Sequence, residues 1–164
     1  MDKREKLAIY GSVALVLVFF GAVVVATTGF GITVPDCVTD VKPFEKSELV
    51  KLGDKHYQLQ SVARMWSFDP AEIELPAGSQ LDIYLTSADV THGFQVEKKN
   101  VNMMAVPGQV TFASVKFDEE EVGTYAIICH EYCGLFHHNM VANIRVRPAD
   151  DVFTTNTGSE GGAQ

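Results

Sequence analysis

Near the C-terminal end, the run Cys129-His130-Glu131-Tyr132-Cys133-Gly134-Leu135-Phe136-His137-His138-Asn139-Met140 places two cysteines four residues apart, then a histidine four residues on and a methionine three beyond it. Thiolate, imidazole and thioether form a soft donor set, which selects copper over magnesium, calcium or manganese. A mononuclear blue-copper loop needs one Cys, one or two His and a weak axial Met. A second thiolate lets two sulfurs bridge two ions, so the loop reads as a binuclear copper site suited to electron transfer. A disulfide would leave His137 and Met140 unexplained, and structural zinc rarely recruits a thioether. One more imidazole is needed to serve two ions. His92 supplies it in Val90-Thr91-His92-Gly93-Phe94, where Gly93 lets the backbone approach closely. His56 lies too near the linker described below to be the candidate.

Short strands must hold these residues. Tyr57, Leu59, Ser61 and Ala63 alternate with polar positions, as do Leu81, Ile83 and Leu85, and Glu72 to Pro76 reads as a strand ended by proline. Val90 to Val96 and Val101 to Val106 are further extended pieces. The apolar phase switches between Val110/Phe112 and Ala113/Val115/Phe117, which predicts a β-bulge. Thr124 to Cys129 leads into the ligand loop and Met140 to Val146 leads out of it. No helix of useful length is expected after residue 55. Seven or eight strands at turn-separated intervals predict an antiparallel sandwich or barrel over 56–148. Residues 35–55 lack periodicity and read as a linker with one short helical turn at Glu45–Leu52. The Thr, Asn, Gly, Ser and Gln composition of 149–164 reads as a disordered tail.

Ahead of this domain, residues 7–34 carry no charge. About 20 apolar residues suffice to cross a bilayer, so 7–34 is expected to be a transmembrane helix. A cleaved signal peptide would have an apolar region of only about 7–15 residues. Residues 1–6 carry Lys3, Arg4 and Lys6, and cationic flanks stay cytoplasmic. The domain therefore belongs on the outer face. All but two of the 21 acidic side chains and all but three of the 13 basic ones follow the span, and the net charge is −8. Such a surface repels nucleic acid and suits a basic or neutral partner. Of three cysteines, Cys37 is left over and reads as a free thiol.

An early His on a β-sandwich followed by a late Cys/His/Met loop is similar to the layout of cupredoxins. The residues Cys129-x-x-x-Cys133-Gly-Leu-x-His137-x-x-Met140, with Val90-Thr-His92-Gly-Phe upstream and one span, resemble subunit II of a haem–copper cytochrome c oxidase over residues 1 to about 147. The single span is similar to the B-type branch, because A-type subunits have two. The resemblance implies an all-β cupredoxin-like Greek-key sandwich with one N-terminal transmembrane helix, in the plasma membrane of a prokaryote. It implies a dinuclear CuA centre bridged by Cys129 and Cys133. His92 and Met140 would complete one copper, and His137 and the Glu131 backbone carbonyl the other. Electrons would come from cytochrome c or a small copper protein and leave for haem in subunit I, where oxygen is reduced. The chain would thus be an enzyme subunit, embedded in lipid, with no oxygen site of its own.

Other residues take roles by the same resemblance. Trp66 is similar in place to the aromatic that receives electrons from the donor, the other reading being a core indole. Glu5, or Asp2 beside it, lies near the acidic residue that helps protons into the partner's uptake channel, the other reading being an interfacial charge. Glu131 departs from the B-type pattern, which has an amide there. In A-type subunits a glutamate at this place also carries magnesium or manganese, and its oxygens would suit a hard cation. His130 and His138 fall outside the pattern. Copper-delivery proteins of the Sco type also pair Cys-x-x-x-Cys with a His, but on a thioredoxin-like α/β scaffold and with the His downstream. Nitrous oxide reductase adds a large propeller, and quinol-oxidase subunits lack the copper ligands.

Overall fold

A computed structural model of the chain describes residues 2–30 and 35–149. They fall into two compact units, one on either side of the boundary between Val34 and Pro35.

The first unit is a single helix, α1 (Lys3–Gly29). It starts before the uncharged run because Asp2 caps it. The Asp2 carboxylate accepts the Arg4 N–H at 2.8 Å, and the Glu5 carboxylate accepts the Asp2 N–H at 2.8 Å. This is a reciprocal capping box. At 1.5 Å per residue the helix is about 40 Å long, enough to cross a hydrocarbon core of about 30 Å. Its apolar side chains are exposed all round, a pattern that water does not tolerate and lipid does. Thr27 and Thr28 turn their hydroxyls back to the Val23 and Val24 carbonyls, so neither needs solvent. Residues 31–34, expected to continue the span, lie outside the described residues, as does all but the first residue of the expected tail.

The second unit is a sandwich of two sheets. Its strands are β1 (Asp36–Val38), β2 (Glu48–Gly53), β3 (His56–Arg64), β4 (Ser67–Asp69), β5 (Glu72–Pro76), β6 (Gln80–Ser87), β7 (His92–Val96), β8 (Val101–Ala105), β9 (Val110–Lys116), β10 (Gly123–Ile128) and β11 (Val141–Arg147). One sheet runs β1-β9-β6-β3-β2, with β4 also paired to β3. The other runs β5-β11-β10-β7-β8. Leu59, Leu81, Ile83 and Leu85 from the first meet Phe94, Val96, Ile127 and Ile144 from the second in a continuous core. Phe68 of β4 and Phe94 of β7 join the sheets edge to face, with ring centroids 5.2 Å apart. Each such side chain contributes about 1.5–3 kcal/mol when fully buried.

Three expectations need correction. The stretch 35–55 is not a plain linker, and its expected helical turn at Glu45–Leu52 is not formed. β1 pairs with β9 and β2 with β3, so both are edge strands. Leu49 and Leu52 stay exposed on β2, which is why no alternation was visible. The expected bulge in β9 is absent. Its register on β6 runs unbroken from Leu85↔Thr111 to Gln80↔Lys116, and Phe112 instead packs beside Tyr84. The sheets are also mixed rather than antiparallel, because β3 pairs parallel with β6 and β5 with β11.

Candidate metal centre

Two neighbouring strands of one sheet present the ligand residues. β7 begins at His92, and the chain leaves β10 at Ile128 to enter the loop at Cys129. The loop ends at Met140, where β11 takes over, and Cys129 N–H donates to Met140 O at 3.2 Å across its mouth. Inside it, a short 3-10 turn (His137–Asn139) is held by His137 N–H to Gly134 O and Asn139 N–H to Phe136 O. Gly134 adopts φ +117°, and a Cβ there would lie 3.2 Å from Trp66 Nε1. The positive φ favours glycine, and the indole leaves little room for a Cβ.

The loop brings the sulfurs together. Cys129 Sγ and Cys133 Sγ are 3.7 Å apart and both thiols are free. A disulfide would need about 2.05 Å. Two sulfurs each about 2.3 Å from one ion at a tetrahedral angle would sit about 3.8 Å apart. Cys133 Sγ is also 3.5 Å from His137 Nδ1 and 3.8 Å from Met140 Sδ. A sulfur and a nitrogen sharing one tetrahedral ion would be about 3.6 Å apart. Cys129 Sγ approaches Glu131 O at 3.2 Å. The ligand atoms of His92, Cys129 and Cys133 lie within 4.8 Å of one another.

Electrostatics points the same way. His92 is fully buried, and its Nδ1 has no hydrogen-bond partner. A buried nitrogen without a partner is costly, so something is expected to take its lone pair. Its Nε2 lies 2.7 Å from Asp89 Oδ1. Burial pushes the Cys133 thiol up to about 11, helped by the hydrogen bond and charge of Cys129. Without a metal such a thiol stays protonated at neutral pH, so a cation bound there would have to displace its proton. The residues present therefore fit a soft cation.

The other expected residues divide around this centre. Trp66 packs partly buried against it, donating Nε1–H to Cys133 O at 3.2 Å and meeting the Phe136 ring edge-on at 4.8 Å. It is neither a plain core indole nor remote from the loop. His130 and His138 are exposed, and the His130 ring lies over Gly93, where a Cβ would come within 2.6 Å of it. The exposed Glu131 carboxylate joins no metal-ligating cluster among the described residues. His56 is occupied elsewhere, 2.8 Å from Asp82. Cys37 is exposed, 3.7 Å from Gln109 Oε1. Sequence reasoning passed over Asp89. Its one local signal is a carboxylate three residues ahead of a ligand histidine, where a partner for the second ring nitrogen is needed.

Residues 50–147 match the family described as cytochrome C oxidase subunit II, periplasmic domain. The chain belongs to this family. Cytochrome c oxidase subunit 2 of Thermus thermophilus is 38% identical over 99 residues, which cover 60% of this chain and 72% of that protein. A second Thermus thermophilus subunit 2 matches at the same identity over 58% of its length. A chain of a haem–copper terminal oxidase dimer solved by cryo-EM is 44% identical, with TM-score 0.78 over 88% of this chain and 100% of that one. The crystallised periplasmic domain of subunit II from Bradyrhizobium japonicum shares the fold, with TM-score 0.51 and 20% identity. This subunit II is thus a cupredoxin-like sandwich with one apolar N-terminal helix, a membrane-anchored, copper-binding part of an oxidase complex that includes subunit I. A Sco-type copper-delivery protein would need an α/β scaffold, and here the Cys129/Cys133 loop joins two strands of an all-β sandwich.

Proposed function

We propose that the loop of this subunit II holds a dinuclear CuA centre and that electrons enter the oxidase there from cytochrome c or a small copper protein. As a subunit II the chain is the electron-accepting member of the complex, and the two free thiols 3.7 Å apart carry the finer reading. The donor count supports two ions over one. Cys129, Cys133, His92, His137, Met140 and the Glu131 carbonyl give six donors in one cluster. If the two thiolates are shared, each of two ions receives four bonds. A single structural zinc closes at four ligands and would strand the rest.

When bound, a copper pair supplies one-electron redox chemistry. The protein holds its ligands still and dry. Cys133, Met140 and His92 are buried, and two sheet strands clamp the loop at both ends. Met140 offers a thioether, a weak donor that tunes potential rather than anchoring metal. Trp66 stands one hydrogen bond from the Cys133 peptide, so a donor docked over the indole meets a short bonded path to the ligand residues. The acidic domain would sit on the outer face of a prokaryotic plasma membrane, with lipid around α1 and the N-terminus inside. Among the described residues no second ligating side chain joins the Glu131 carboxylate, so a magnesium or manganese ion there would draw its other ligands from outside them.

Metal analysis and the absorption spectrum of the copper-loaded full-length chain in detergent test this reading. Two coppers per chain and a purple species are expected. One metal per chain, or a blue spectrum, would overturn it.

A further inference from the structure

One carboxylate near the candidate centre makes more contacts than a tautomer lock requires. Asp89 sits in the turn between β6 and β7. Its Oδ1 faces His92 Nε2 at 2.7 Å and accepts the Val90 N–H at 2.6 Å. Its Oδ2 accepts the Met65 N–H at 2.7 Å, from the turn between β3 and β4 that carries Trp66. Ser87 braces the group from behind, its Oγ accepting the Asp89 N–H at 3.2 Å. Ser87 also donates to the Val90 carbonyl, which closes the turn.

An ionised carboxylate only accepts hydrogen bonds. His92 must therefore carry its proton on Nε2, which leaves a lone pair on Nδ1, the buried atom without a partner. The second oxygen is committed to the Met65 amide, one peptide from the indole. We infer that Asp89 is a positioning residue that fixes two parts of the site at once: the tautomer of His92 through Oδ1 and the Met65–Trp66 turn through Oδ2. This rests on the reading of His92 as a copper ligand. The indole and the imidazole come from opposite sheets, and Asp89 is a direct polar link between them that does not pass through the cysteine loop.

Asparagine has the same shape and cannot do both jobs. With its oxygen toward His92 and Val90, its NH2 faces the Met65 N–H, donor against donor. Flipped, its NH2 faces Nε2 and drives the imidazole proton to Nδ1, the nitrogen needed for metal. The loss of such an outer partner typically lowers metal affinity about 10–100-fold.

The test uses the full-length chain in detergent. In the metal-free wild type, nitrogen NMR should find His92 protonated at Nε2 and the Met65 amide hydrogen-bonded. Asp89→Asn and Asp89→Ala should each lose at least one of these signatures. Both should bind copper about 10–100-fold more weakly in chelator competition. A wild-type His92 protonated at Nδ1, or an Asp89→Asn chain that keeps both signatures and full copper affinity, would overturn the inference. A wild type that binds no copper would instead defeat the copper reading, and the metal-free tautomer and amide signals would still decide whether Asp89 positions both groups.

Discussion

Trp66 separates a working residue from a packing one. In Trp66→Phe the ring and its edge-on contact with Phe136 are kept, while the Nε1 bond to Cys133 O is lost. A hydrogen bond of this kind is worth about 0.5–1.5 kcal/mol, so the Phe variant should be about 1 kcal/mol less stable. Trp66→Ala also loses the aromatic pair, about 0.5–1.5 kcal/mol more, plus the buried part of the indole. If the indole is also the donor's contact, its truncation should cost about 2 kcal/mol of docking, roughly 30-fold in second-order electron transfer from the donor. Stopped-flow reduction of the assembled oxidase, run beside denaturant titration, reads both quantities. Trp66→Ala should slow reduction by the donor and leave onward transfer to haem unchanged. Equal slowing of both steps, or stability loss with donor reduction untouched, would refute the docking argument and leave Trp66 as a brace for Gly134.

Three further outcomes follow. Met140→Leu preserves volume in a buried position, so it should cost under about 1.5 kcal/mol, retain copper and shift the potential. An unchanged potential in voltammetry would make Met140 a packing residue. Burial pushes the Asp82 carboxyl up, but hydrogen bonds from Ser114, His56 and Gln80 outweigh it and hold it below the usual range. A depressed folded value stabilises above the unfolded one, about 3.9, and is lost as pH falls through the folded value. Asp82→Asn should therefore lower Tm at pH 7 and match wild type in strong acid, and a constant gap across pH would contradict this. Glu5→Gln keeps an acceptor for the capping box while removing the titrating group, so helix content should hold. Loss of oxidase turnover with fast copper reduction would support proton uptake at Glu5, and wild-type turnover at every pH would leave it a cap.

The candidate ligand cluster was more legible than the scaffold. Cys129, Cys133, His137 and Met140 are neighbours in sequence, so residue type and spacing alone declare a soft site. His92 was reachable as a candidate because it stands beside Gly93 in the extended piece Val90 to Val96. The parallel pairing of β3 with β6 was not, since alternation tells which face is buried and nothing about the neighbouring strand. β1 and β2 were hidden because half-exposed edge strands need no apolar period. Asp89 escaped because its second partner, Met65, is distant in sequence, and the capping contact of Glu5, a residue singled out for another role, escaped because a capping carboxylate looks like any flank charge.

The central claim is that two thiolates share two coppers, and the EPR hyperfine pattern of the copper-loaded full-length chain addresses it most directly. One unpaired electron spread equally over two copper nuclei is the predicted result, disappearing when Cys129 or Cys133 is replaced by serine. A pattern from one copper nucleus, or a shared pattern that survives either serine, would contradict it.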